Sequence, residues 1–148
     1  MKDFNKVERH EARELAVETL YAMDFNNQLK ESFDLSLLPG KSEEEMKELS
    51  DNITVYARYL ISGTLEHLDE IDEIIGRYSI NRPVEKINCV DRNILRISIF
   101  SMLYCREDVH PTIVIDEAVK LSQSLSTDVA YKFINGVLDN IFKKEVHK

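Results

Sequence analysis

Apolar residues recur at three- and four-residue steps along almost the whole chain, and only four glycines and three prolines interrupt them. That period belongs to the α-helix, whose neighbours on one face lie three and four positions apart. A β-rich chain of this length alternates apolar and polar residues and uses more Gly and Pro in its turns. Here alternation is confined to a short run, Thr112 to Ile115. The fold class that follows is all-α.

The spacing places the helices. A first one is expected from about Lys6 to Asp24, with Ala12, Leu15, Ala16, Leu20 and Met23 on one face. Residues 26–50 read as a polar connection broken at Pro39-Gly40, with Phe33, Leu35, Leu37 and Leu38 in a short helix or turn. Glu43-Glu44-Glu45 suits the positive end of a following helix. Ile53, Ala57, Leu60, Thr64, Leu68, Ile71 and Ile75 mark one long helix that Gly76 ends or weakens, before a turn at Asn81-Arg82-Pro83. Val90 to Tyr104 has no wide polar face and must be surrounded, with Asn88 and Asp91 as its capping pair. Pro111 opens a helix running through Ser124. A final helix is expected from Ser126-Thr127-Asp128, where Gly136 costs about 1 kcal/mol against Ala and implies a close helix crossing.

Neither a repeat nor an internal linker interrupts this pattern, so residues 1–148 read as a single domain. The charged start, Met1 to Glu14, has no apolar signal core, and no stretch reaches the roughly 20 apolar residues of a membrane span. A cytoplasmic protein is expected.

Catalysis asks for a nucleophile with its base, a paired acid and base, or a metal, and none has a signature here. Walker and other glycine-rich phosphate loops are absent. Asp116 and Glu117 are adjacent on a helix, so their side chains diverge. Cys89 and Cys105 form no CxxC pair and read as small, reduced, buried hydrophobes. His10, His67, His110 and His147 are too scattered for a metal site. The expectation is a non-enzyme with neither cofactor nor metal.

A net charge of -8 disfavours tight, unaided binding of a polyanion, but the charge is uneven. Residues 31–73 hold three Lys/Arg against twelve Asp/Glu, whereas residues 1–14 are balanced and residues 74–148 are slightly basic. The run Asp69, Glu70, Asp72 and Glu73 reads as a solvated face. Nucleic-acid contact is therefore expected at the ends of the chain. Arg9 and Arg13 are four apart and share a helix face, His10 is beside them, and Tyr21 follows two turns on near the same side. Guanidinium groups followed by an aromatic ring suit single-stranded RNA, with phosphates on the arginines and a base on the ring. Glu11, Glu14 and Glu18 interleave, so an exposed helix laced with ion pairs is the plainer reading. Lys143, Lys144 and Lys148 add positive charge at a solvated end.

Four blocks together resemble the NusB family. They are Arg9-His10-Glu11-Ala12-Arg13-Glu14-Leu15-Ala16-Val17-Glu18-Thr19-Leu20-Tyr21, Val90-Asp91-Arg92-Asn93-Ile94-Leu95-Arg96-Ile97, Val114-Ile115-Asp116-Glu117-Ala118-Val119-Lys120-Leu121, and Lys132-Phe133-Ile134-Asn135-Gly136-Val137-Leu138-Asp139. The resemblance covers nearly the whole chain. It implies about seven helices in two packed bundles and a role in transcription antitermination, especially of ribosomal RNA operons. It also implies partners: NusE, which doubles as a small-subunit ribosomal protein, single-stranded boxA-type RNA held jointly with NusE, and the transcription elongation complex. Carried over by position, Arg9, His10, Arg13 and Tyr21 are the RNA-facing residues, with Lys132 a weaker one. Two departures bear on that grip. His10 and Glu11 stand within the basic run, and Ala130 lacks a hydroxyl near Lys132, where Tyr131 offers a ring for stacking or packing.

An acidic protein with a modest basic edge is expected to bind RNA better beside a basic partner, which the acidic surface of residues 43–73, or the adjoining helix faces, would help recruit. Two rivals share the helical reading. One is the NusB-like domain of RNA methyltransferases, disfavoured because no glycine-rich methyl-donor loop occurs before Lys148. The other is a protein-binding adaptor or homodimer, whose function charge reversal at Arg9 and Arg13 would leave untouched.

Overall fold

The three- and four-residue spacing is realised as seven α-helices among the described residues of a computed structural model, which cover 6–31, 42–80 and 82–146. The expected short element around Phe33 to Leu38 lies outside them. Helices α1 (Lys6–Phe25), α2 (Glu43–Glu48) and α3 (Asp51–Glu66) are followed by α4 (Leu68–Tyr78), α5 (Cys89–Tyr104), α6 (Pro111–Leu125) and α7 (Ala130–Ile141). A 3-10 turn at Val84–Lys86 precedes α5, and a π-helical turn at Phe142–Val146 follows α7. No helix among the described residues is long and apolar enough to cross a membrane.

The caps explain several of these starts. Ser50 accepts from Ile53 N at 3.3 Å, and its hydroxyl donates to Glu8 of α1 at 2.6 Å, so the cap also ties α3 to α1. Asn88 accepts from Val90 N at 2.9 Å to open α5. Asp91 does not complete a capping box; its carboxylate takes the Ser126 hydroxyl at 2.6 Å and pins the α6–α7 loop to α5. His110 caps α6 by accepting from Thr112 N at 3.2 Å, ahead of Pro111.

Three expected boundaries are corrected. The stripe from Ile53 to Ile75 is divided between α3 and α4 at His67, which leaves helical geometry at φ -112° and ψ 20°. The cause is tertiary: the His67 ring stacks on Tyr104 of α5 with centroids 3.9 Å apart. Apolar spacing stays in phase across the break, which is why the sequence reads as one helix. Gly76 does not end α4, which continues to Tyr78. Likewise α7 begins at Ala130 rather than at Ser126, with Val129 in the cap position and no side-chain capping bond.

Helix α5 is the axis of the fold. Helices α1 and α3 pack together on one side of it, and α6 and α7 pack together on the other, with α4 against α5 and α7. Ile94, Leu95, Ile99 and Met102 of α5 are fully buried between the two groups; burying each such side chain contributes about 1.5–3 kcal/mol. The close crossing is at Gly63 of α3, where a Cβ would run into the Phe100 ring of α5. The crossing expected at Gly136 is absent: that residue is exposed, and a Cβ there meets no atom within 4 Å.

Charge reinforces the axis. Asp24 at the end of α1 is buried and accepts from Arg92 Nε at 2.5 Å, Asn93 Nδ2 at 2.9 Å and Arg96 Nη1 at 2.8 Å. Arg96 also forks onto Asp72 of α4, with Nε to Oδ1 at 2.8 Å and Nη2 to Oδ2 at 2.9 Å. Asp72 is therefore a structural ion-pair partner rather than part of a solvated face. Within the same run, Asp69 pairs with Lys30 and Glu73 with Arg77. Cys105 is buried and Cys89 half-buried, and both are free thiols; Cys89 reaches Asp24 Oδ2 at 3.4 Å, so it joins a polar network instead of filling apolar space.

Candidate nucleic-acid interface

Helix α1 extends its core-facing side beyond the apolar core at its N-terminal end, and there it carries the half-buried Arg9 and the buried Arg13 instead of aliphatic residues. The guanidinium carbons of Arg9 and Arg13 lie 5.3 and 5.8 Å from the centroid of the Tyr56 ring of α3, a geometry in which cations are attracted to the ring face. Arg13 is only 7% exposed. Its Nη1 sits 3.6 Å from Glu117 Oε2 of α6, and the same oxygen lies 3.0 Å from His10 Nδ1. His10 Nε2 is 2.7 Å from Glu14 of its own helix.

Glu117 thus gathers the N-terminal basic residues from across a helix seam. Burial raises the affinity of its carboxyl for a proton, but the His10 hydrogen bond and the charges of Arg13 and Lys120 outweigh that and hold it below the usual glutamate range. Asp24 follows the same logic. Burial pushes it up, while the Arg92 hydrogen bond, the Arg96 charge and the Asn93 amide bring it below its ordinary value. The first carboxylate orders the edge of α1, and the second fixes the helix that carries it.

Among the sequence-chosen residues, Arg9, His10 and Arg13 come together at the α1–α6 seam. Tyr21 does not share their side. Eight residues beyond Arg13, it is about 12 Å further along the axis and roughly 80° around it. It is exposed and stacks on Phe25 with centroids 5.9 Å apart and planes 21° apart. Phe25 went unread in the sequence, although an aromatic pair four apart on a helix was a usable signal. Lys132 is exposed on α7, whose main packing partners are α4, α5 and α6. Beside it, Ala130 is buried, Tyr131 is half-buried, and Arg82 lies over the Phe133 ring at 4.3 Å. The long-range partners Tyr56 and Glu117 also went unread, because sequence spacing says nothing about contacts across 40 to 100 residues.

The seam brings Arg13, His10 and Lys120 together with the carboxylates of Glu14 and Glu117, and Glu11, Asp108 and Asp116 also line it. Among the described residues no group of three or more His, Cys, Asp or Glu side chains is placed to hold a metal. What the arrangement does chemically is present guanidinium, imidazole and ammonium donors from an ordered surface, with an aromatic pair further along the same helix. Such a surface suits an anionic, base-bearing polymer.

Comparison with known proteins gives the chain's relatives. The NusB family profile matches residues 10–143. A transcription antitermination protein NusB from Thermodesulfovibrio yellowstonii is 36% identical over 144 residues, covering 95% of each chain. One from Nitratiruptor sp. is 40% identical over 136 residues, covering 92% of each. Among solved structures, T. maritima NusB superposes with a TM-score of 0.75 at 28% identity, covering 93% of this chain and 92% of that one. An assembly described as antitermination factors NusB and NusE in complex with dsRNA contains a chain with a TM-score of 0.71 at 26% identity, covering 94% and 98%.

Proposed function

The chain belongs to the NusB family, and from that premise we propose that it keeps RNA polymerase processive by binding boxA-type RNA of ribosomal RNA operon transcripts together with NusE. The observation that carries the RNA reading is the convergence of His10 and Arg13 on Glu117 at the edge of α1, with Arg9 beside Arg13 over the Tyr56 ring. Phosphates would be met at that edge, and Tyr21, with Phe25 beside it, would offer a ring to an unstacked base. Lys132 on α7 would add a more distant contact. The chain acts as a binding factor rather than an enzyme, and works in the cytoplasm with the transcription elongation complex.

The net charge of -8 fits a two-protein grip. An acidic surface repels RNA at a distance, so a basic partner beside the α1 edge would raise affinity by supplying the missing field. The related assembly holds double-stranded RNA, whereas exposed rings favour single strands, and the assay should include both.

The test is fluorescence anisotropy with a boxA-type single strand, its duplex and a scrambled strand, each with and without NusE, at two salt concentrations. The expected result is binding that tightens with NusE, prefers the boxA strand and falls after Arg13→Glu. Because Arg13 is buried against Glu117, circular dichroism of that variant must accompany the assay, and Arg9→Glu serves as the less buried counterpart. No sequence preference in any condition would overturn the reading.

A further inference from the structure

The seam between α1 and α6 opens into two clefts on either side of Glu117, of about 320 and 740 Å³. Arg9 and Arg13 line the smaller and His10 the larger, while Lys6, Glu117 and Lys120 line both. Lys120 comes from α6, more than a hundred residues after the basic run of α1.

Three basic side chains converge on one carboxylate: His10 and Arg13 on Glu117 Oε2, and Lys120 Nζ 3.7 Å from Oε1. They differ in what they leave to solvent. The side chains of Glu117 and Arg13 are 13% and 9% exposed, whereas that of Lys120 is 63% exposed. An anion approaching Glu117 therefore meets the Lys120 ammonium before the carboxylate behind it, while the further carboxylates of the seam, Glu11 and Glu14 in the larger cleft and Asp108 and Asp116 in the smaller, lie to either side. At 3.7 Å the ammonium is paired with Glu117 in charge but is too distant to hydrogen-bond it, so its N–H donors are not committed to that oxygen.

Resting on the RNA reading above, we propose that Lys120 is a further RNA-contacting residue, which carries the basic edge of α1 across the seam so that the phosphate backbone lies along two helices. Glu117 keeps the cations of both helices in register from beneath.

The salt dependence of RNA binding tests this, because each phosphate contact to a single strand contributes about 0.7 to the slope of log K against log salt. Wild type, Lys120→Ala, Lys120→Arg and Lys143→Ala are compared on the boxA-type strand with NusE present. Lys143, beyond the end of α7, is an exposed lysine that pairs with Asp139 of that helix, and it controls for loss of one positive charge anywhere on the protein. The expected result is a slope shallower by about 0.7 for Lys120→Ala alone, with Lys120→Arg retaining it. Equal changes in Lys120→Ala and Lys143→Ala, or no change in either, would overturn the assignment. A wild-type protein that binds no RNA under any condition would instead overturn the reading beneath it, and this assignment with it.

Discussion

Arg96 of α5 places one guanidinium between two carboxylates of different helices, with Nη1 2.8 Å from Asp24 Oδ2 of α1 and Nε 2.8 Å from Asp72 Oδ1 of α4. Arg96 is 4% exposed, so it depends on those partners for the solvation that water no longer supplies. Asp24→Ala is expected to leave Arg96 on Asp72 and Asn93 alone and to take from Arg92 its carboxylate partner, at a cost of about 1–3 kcal/mol. Urea unfolding of the variant against wild type measures it; a loss below 1 kcal/mol would mean that the network relaxes or takes up water.

Acid should erase that difference. The folded pKa of Asp24 is depressed, so its contribution is fully present above the unfolded value of about 3.9 and is lost as pH falls through the folded value. Glu117 has the same sign. Unfolding free energies measured from pH 7 down to pH 2 should keep the gap between wild type and Asp24→Ala constant at first, then narrow it below about pH 4. A gap that widened in acid would contradict the assigned direction.

The two glycines compared above predict opposite outcomes. At Gly63 a methyl group meets the Phe100 ring, which is itself packed against Tyr59, Tyr104 and His67. Gly63→Ala should destabilise by about 1–3 kcal/mol despite its better helix propensity. Gly136→Ala, on an open face, should stabilise by about 0.5–1 kcal/mol. Thermal unfolding of the pair checks both signs in one experiment.

Removing the exposed ring at Tyr21 separates binding from folding. Tyr21→Ala is expected to cost about 1–3 kcal/mol of RNA affinity, the range for one stacked base, with little change in Tm. Tyr21→Phe should keep most of the affinity. If Tyr21→Ala binds RNA like wild type, the base must be held elsewhere.

Much of the fold was legible because helical periodicity is a local property. The spans of α1, α5 and α6 and the wrap-around burial of α5 followed from spacing, Asn88 and Pro111. The division at His67 was not legible, since the residue that causes it, Tyr104, is 37 positions away and the apolar phase continues through the break. Gly136 was misassigned for the same reason: a glycine in a helix signals a close neighbour only if one exists, and the neighbour was at Gly63 instead. At the candidate site, spacing gathered Arg9 and Arg13 correctly but put Tyr21 too near their side, and it had no access to Tyr56, Glu117 or Lys120 on other helices.

The seating of Arg9 and Arg13 on Tyr56 has a consequence for kinetics as well as for affinity. Long basic side chains normally lose rotamer freedom when they clasp a phosphate, and that loss weakens the complex. Here much of the freedom has already been surrendered in folding, so under the proposed function the edge would meet RNA as a rigid template rather than as mobile arms. A rigid template gains little from partial matches, and discrimination between RNA strands should therefore appear as differences in how long each stays bound.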